Sequence, residues 1–173
     1  MDKILLYDDF LNKDELNKLL IIINTKWYYG HGSGNREKIK NLFFSTVDKS
    51  NFLIDYIKDK IEKTVSKKLK LIRHYMHIQT FGLDGGYHID DEGPNKYTFC
   101  IYISDIDKDK LDTAGGEFLI KIPDEKFILS IEPILNRGIF FPSNYLHKGM
   151  AYNNFIDSYR LCLTWKMEEI IDK

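Results

Sequence analysis

The chain of 173 residues, 43% hydrophobic and 14% aromatic, has enough apolar material for one domain with a single sizeable core and is not disordered by composition. A formal net charge of −1 gives no global field that would favour nucleic acid or an anionic membrane. Two cysteines, Cys100 and Cys162, make no disulfide framework, and both read as small apolar wall residues.

Asn12 followed by Glu15 has the form of a capping box, and Leu16, Leu19, Leu20 and Ile23 continue it as an apolar stripe, predicting a first helix. Asp8 and Asp9 break any leader-like apolar run, and Leu19–Ile23 is too short to span a bilayer. The expectation is a single domain over residues 1–173 in a reducing cytoplasm, with no membrane and no nucleic-acid partner. The Gly-rich, charged stretch "YYGHGSGNREKIKNLFFS", Tyr28 to Ser45, reads as a mobile loop able to fold over a substrate. It is not a phosphate loop, because no Gly-Lys-Ser/Thr follows the glycines. Ser50–Lys67 reads as a second helix, with Ile54, Ile57, Ile61 and Val65 on one face.

From Leu71 onward the pattern is strands: Leu71–Phe81, Tyr97–Ser104, Glu117–Ile122, Phe127–Ile131, Gly138–Phe141, Lys148–Tyr152 and Tyr159–Met167. Between them, Asp105–Thr113 reads as a solvated loop. Helices followed by many short strands predict a mainly β, α+β domain.

Side-chain parity adds detail. In Tyr97–Ser104, Thr98, Cys100 and Tyr102 oppose Phe99, Ile101 and Ile103; in Tyr159–Met167, Arg160, Cys162, Thr164 and Lys166 oppose Leu161, Leu163, Trp165 and Met167. The apolar faces suit burial under the helices. The polar faces, rich in Tyr, Cys and Thr in a lysine-dominated protein, suit the lining of a pocket between two sheets.

The stretch "YHIDDEG" holds the first candidate chemistry. In an extended segment His88 and Asp90 share a face, while Asp91 and Glu92 read as solvated rim. His147, at the start of a later strand, is the natural third ligand. Two imidazoles and a carboxylate form a facial triad suited to non-haem Fe(II), with coordination positions left open for a co-substrate and dioxygen. His74 and His77, three apart on a strand, face opposite sides and do not chelate one ion together. His31 reads as a surface residue or a substrate contact. Arg160, one of four arginines, has the fork geometry to hold the distal carboxylate of a keto diacid, with Tyr102 and Thr164 placed to add hydroxyl donors.

With these residues in order, the chain resembles the Fe(II)/2-oxoglutarate-dependent dioxygenases, in their prolyl 4-hydroxylase-like branch. "ILLYDDFLNKDELNKLL" resembles that family's opening strand and first helix, His88-Ile89-Asp90 its H-x-D, and "FCIYIS" the strand that carries a co-substrate tyrosine, here Tyr102. "GGEFLI" resembles its Gly-Gly-Glu turn, "FFPSNYLHKG" the segment carrying the distal histidine, and "RLCLTW" the strand with the basic co-substrate residue. Where collagen-type enzymes usually carry lysine, this chain has Arg160, and Gln79 or Phe81 lies where the family often has a pocket tyrosine. The resemblance implies a double-stranded β-helix (jelly roll, cupin-like) with the N-terminal helices on the outer face of one sheet. It implies Fe(II), 2-oxoglutarate and dioxygen as cofactor and co-substrates, ascorbate as a candidate reductant, and Gln79 among the co-substrate contacts. The implied substrate is a protein or peptide side chain, proline first, with a small metabolite or free amino acid as the alternative. A non-catalytic binding module on the same fold is the third class, and the intact triad counts against it.

Overall fold

The computed structural model describes residues 3–32, 42–104 and 106–171. Seven strands, β1 (Leu5–Tyr7), β2 (Tyr28–His31), β3 (Phe43–Thr46), β4 (Leu69–Gln79), β5 (Lys96–Tyr102), β8 (Gly138–Pro142) and β10 (Arg160–Glu169), pair antiparallel in the order β1-β8-β5-β10-β4-β3-β2. Three more, β6 (Phe118–Lys121), β7 (Ile128–Ile131) and β9 (Leu146–Gly149), form a smaller sheet in the order β7-β6-β9.

Parity sorts the core into two layers. Phe99, Ile101, Leu163, Trp165 and Met167 from the large sheet are buried in one cluster with Leu19, Ile57 and Ile61 of α1 (Lys13–Ile22) and α2 (Ile57–Val65). The alternate residues Cys100, Tyr102 and Cys162 are buried with Phe118, Ile120 and Ile131 of the small sheet, so the two sheets face each other across a second core. This is the double-stranded β-helix with helices on the outer face of the larger sheet. A rudimentary fourth strand completes the small sheet. His88 and His147 exchange reciprocal backbone hydrogen bonds of 2.9 Å, flanked by Gly85 N to Gly149 O and Asp90 N to Ser143 O. The His88–Asp90 segment therefore runs along the open edge of β9.

The helices follow from their caps and stripes. Asn12 and Glu15 form the capping box, and Glu15 also accepts from Tyr56 Oη at 2.6 Å and pairs with Lys60, tying α1 to α2. Leu19 is fully buried, whereas Leu20 points outward, and Ile22 takes its place against the core. The second helix starts as a π-helical turn, Phe52–Tyr56, before continuing as α2. That turn brings both Phe52 and Leu53 into the core, where the Leu53 carbonyl accepts from Trp165 Nε1 at 2.8 Å.

Several expected boundaries shift. The ends of the Tyr28–Ser45 stretch are not loop: β2 and β3 pair with each other, and β3 pairs with β4. The reading of that stretch as a lid falls on residues 33–41, which lie outside the described residues. The charge-rich 105–113 region contains a 3-10 turn (Lys108–Lys110) and the first residues of α3 (Leu111–Ala114), anchored by buried Ala114. The strand expected over Lys148–Tyr152 begins earlier, because β9 pairs with β6 through Leu146 and His147; Tyr152 only bridges Gly115. No helix among the described residues is long and apolar enough to cross a membrane.

Candidate metal centre and its pocket

The backbone pairing of His88 with His147 sets their rings side by side, with centroids 4.4 Å apart and planes tilted by 53°. His88 Nδ1 lies 2.9 Å from Gly86 O, and His147 Nδ1 lies 2.8 Å from Tyr145 O. A carbonyl can only accept, so Nδ1 carries the proton of each neutral ring and Nε2 is left with its lone pair. Those Nε2 atoms stand 3.4 and 3.6 Å from Asp90 Oδ1 and Oδ2. The ligand-type atoms of His88, Asp90 and His147 all lie within 4.8 Å of one another.

Electrostatics prepares the three for a cation. Burial pushes the His147 imidazole down to about 4 despite the pull of Asp90, so the ring is neutral near pH 7. Burial by itself would raise Asp90, but His88, His147 and Lys166 outweigh it and hold the carboxyl well below the usual carboxylate range. Thr98 Oγ1 donates to Asp90 Oδ2 at 2.6 Å, with Ser143 Oγ another 3.0 Å beyond. Lys166 Nζ forms an ion pair with Oδ1 at 2.7 Å. Lone pairs therefore face lone pairs across a few ångströms. A divalent cation satisfies all of them at once. His147 also packs against Phe118 and Phe141, at ring-centroid distances of 5.3 and 4.8 Å, which shields that side of the centre.

Farther along β10, the guanidinium of Arg160 is buried. Its Nε donates to Gly116 O at 2.8 Å, Nη1 to Gln79 Oε1 at 2.7 Å and Nη2 to Tyr102 Oη at 3.2 Å. Three of five donors are thus engaged, all with neutral groups, and no carboxylate pairs with Arg160 among the described residues. Gly149 leaves the space: a Cβ there would meet the guanidinium at 2.8–3.0 Å. A buried cation with only neutral partners calls for an anion. Burial holds the Tyr102 phenol well above its ordinary value, so it stays protonated and its own hydrogen is free to donate. Gln79 is fully used, accepting from Arg160 and donating to Leu83 O and Gly149 O. It orients Arg160.

One cavity touches His88, Asp90, His147, Gln79, Arg160 and Thr164, so the structure brings together the sequence-predicted residues, with Tyr102 behind Arg160. Thr164 lies between the two ends, its Oγ1 3.6 Å from Cys100 Sγ. Both cysteines are free, and they line the cavity as wall residues. Asp91 accepts from Gly93 N and pairs with Lys96, outside the triad. His74 packs on Trp165 on the opposite side of the sheet, so parity separates it from His77.

Sequence reasoning did not single out Thr98 and Lys166 as partners of Asp90. Both share the polar parity of β5 and β10, and that was the available signal. His31 is a wall residue as well, stacked over His77, and Phe43 joins it. Their placement depends on the β2–β3 pairing, for which local sequence carries no signal.

No protein-family model matches the chain, and no curated protein matches it. Solved structures do. An oxidoreductase of the 2OG-Fe(II) oxygenase family from Burkholderia pseudomallei superposes with a TM-score of 0.72 at 12% identity, covering 95% of this chain and 84% of that one. A prolyl hydroxylase from Trichoplax adhaerens, in complex with a hypoxia inducible factor oxygen degradation domain peptide fragment, gives 0.68 at 14%, covering 96% and 83%. The non-haem α-ketoglutarate-dependent epimerase SnoN of nogalamycin biosynthesis gives 0.67 at 12%, covering 96% and 78%. This chain therefore has the double-stranded β-helix fold of 2-oxoglutarate–Fe(II) oxygenases, on which solved neighbours act on different substrates.

Proposed function

We propose that this chain is an Fe(II)- and 2-oxoglutarate-dependent dioxygenase that hydroxylates a peptidyl side chain, proline first among the candidates. One observation carries the reading: His88, Asp90 and His147 bring their ligand-type atoms within 4.8 Å of one another, in the same cavity as a buried Arg160 with no carboxylate partner among the described residues. The three would hold the iron, and Arg160 with Tyr102 would hold the distal carboxylate of 2-oxoglutarate. Together, the bound iron and 2-oxoglutarate supply the activation of dioxygen, giving succinate, carbon dioxide and a hydroxylated product, with ascorbate a candidate reductant.

The chain supplies positioning and electrostatics. Thr98 fixes the Asp90 carboxylate, and the Gly86 and Tyr145 carbonyls fix both imidazole tautomers. Gln79 fixes the guanidinium that selects a diacid over a monoacid. Phe118 and Phe141 keep water from one flank of the centre. A peptide substrate is supported by β2, the outermost strand of its sheet among the described residues, whose Tyr28 and Tyr29 are 65% and 62% exposed. An extended peptide can add to such an edge, next to the cavity that His31 and Phe43 reach.

The test is succinate formation from 2-oxoglutarate with Fe(II) and proline-containing peptides, against matched peptides lacking proline. Wild type turns over and Asp90→Ala does not. Equal turnover by both, or full turnover with pyruvate in place of 2-oxoglutarate, contradicts the reading. A second reading, oxidation of a small metabolite or free amino acid, is favoured by two cations beside the metal centre.

A further inference from the structure

Lys166 and Arg73 are opposite residues of the β10–β4 ladder. Both cations lie over the same ring: Arg73 Cζ is 4.7 Å and Lys166 Nζ 5.8 Å from the centroid of Tyr75, which itself lines the cavity. Like charges placed opposite each other in a ladder repel. The one carboxylate at Lys166 is Asp90, and Arg73 has no carboxylate partner among the described residues. A divalent ion held by Asp90 would take up part of that carboxylate's charge and leave Lys166 and the exposed Arg73 over Tyr75, the ring that lines the cavity.

Their field reaches into the cavity. His31 is pushed down to about 4, first by burial and then by Arg73 and Lys166. Deeper in, His77 Nδ1 is buried with no hydrogen-bond partner, an unused polar contact. Arg160 and this pair stand at opposite ends of the inner face of β10. Six residues of strand separate it from Lys166, roughly 20 Å at about 3.3 Å per residue. Its guanidinium is tied to Gln79, directly opposite it in the ladder, and so does not lean toward Lys166.

We propose that Lys166 and Arg73 form a carboxylate-binding rim for the primary substrate, so that the molecule oxidised carries a carboxylate close to its reacting carbon. The inference rests on the dioxygenase reading above, with Arg160 serving the co-substrate and the rim serving the substrate. Because Lys166 Nζ lies against Asp90, the anion it holds is near the metal. That chemistry fits the α-carboxylate of a free amino acid or an acidic side chain of a peptide.

The experiment uses the protein loaded with Mn(II) and 2-oxoglutarate without oxygen, so that binding is read by calorimetry in the absence of turnover. The probes are free L-amino acids against their amides, and short peptides containing Asp against the same peptides containing Asn. Acids should bind at least about tenfold more tightly than their neutral partners, the worth of one retained charge contact. The free-acid and peptide arms tell which source of carboxylate the site prefers. In the double variant Lys166→Gln, Arg73→Gln that preference should vanish, while Arg73→Gln alone should weaken it and leave 2-oxoglutarate affinity within about threefold. Failure of wild type to bind 2-oxoglutarate at all sinks the underlying dioxygenase reading instead. The rim is overturned if acids and neutral partners bind alike, if none binds, or if the double variant keeps the preference. It is also overturned if Lys166→Gln only tightens Mn(II) binding, since Lys166 is then no more than the counter-ion of Asp90.

Discussion

The two faces of the β5–β10–β4 ladder are built from the same strands, one residue apart, and have opposite characters. Toward the helices stand Phe99, Leu163, Trp165 and Met167, closely packed and without charge. Toward the small sheet stand Thr98, Arg160, Thr164 and Lys166, with Tyr75 and His77 beside them. The outer face gains stability from every apolar contact. The inner face keeps a buried guanidinium with only neutral partners, a feature that costs stability until an anion arrives. Period-two alternation lets one ladder hold the fold with one set of side chains and leave the other set free for chemistry.

Substitutions on the two faces should therefore separate stability from binding. The largest loss of stability is expected from Trp165→Ala, which opens a cavity and removes the hydrogen bond to Leu53 O. Chemical denaturation should show a loss of about 3–5 kcal/mol. A loss below about 1 kcal/mol would mean the outer face does not hold the fold.

Arg160→Ala should act the other way. Loss of a charge-assisted contact worth roughly 1.5–4 kcal/mol raises the 2-oxoglutarate requirement by about tenfold to a thousandfold. Stability should fall less than for Trp165→Ala, because the desolvation of a buried charge is relieved. Arg160→Lys keeps the charge without the fork and should lose affinity moderately. Titration of the Fe(II) form with 2-oxoglutarate checks both, and unchanged affinity in Arg160→Ala would move the carboxylate elsewhere.

Per group, the smallest effect is one of pH. Burial holds His74 on the outer face and His147 on the inner face down to about 4. Both folded values lie below the roughly 6.5 of an unfolded chain, so the unfolded state takes up protons first. The stability each neutral ring contributes is complete above about pH 6.5 and is lost as pH falls toward 4. Between pH 7 and 5 the loss should be about 2 kcal/mol per ring in the metal-free protein. Saturating divalent metal should restore the His147 share and leave the His74 share lost. Denaturation curves that do not change between those pH values would contradict the burial assignments.

Much of this contrast was legible in the sequence because alternation along a strand is local. Arg160, Cys162, Thr164 and Lys166 declare their common face without any knowledge of their neighbours, and the His88–Asp90 spacing does the same. The opposition of His88 to His147 was less accessible, since it depends on an irregular segment aligning with β9 through only a few backbone bonds. Least legible was the β2–β3 pair. Its strands are four residues each, one contains Gly30, and they take their place only through the sheet, β3 pairing with β4 and β2 with β3. The rim formed by Arg73 and Lys166 was hidden for a similar reason: cross-strand register decides which charges meet.

The central claim is that the inner face is a metal centre whose ligands are dispensable for the fold. Calorimetric titration of Fe(II) without oxygen into wild type and Asp90→Ala, with melting curves of both metal-free proteins, tests it most directly. The account predicts one ion per chain in wild type, an affinity lower by at least about a hundredfold in Asp90→Ala, and a metal-free variant that still unfolds in a single cooperative transition. Equal Fe(II) affinity in the two proteins would contradict it.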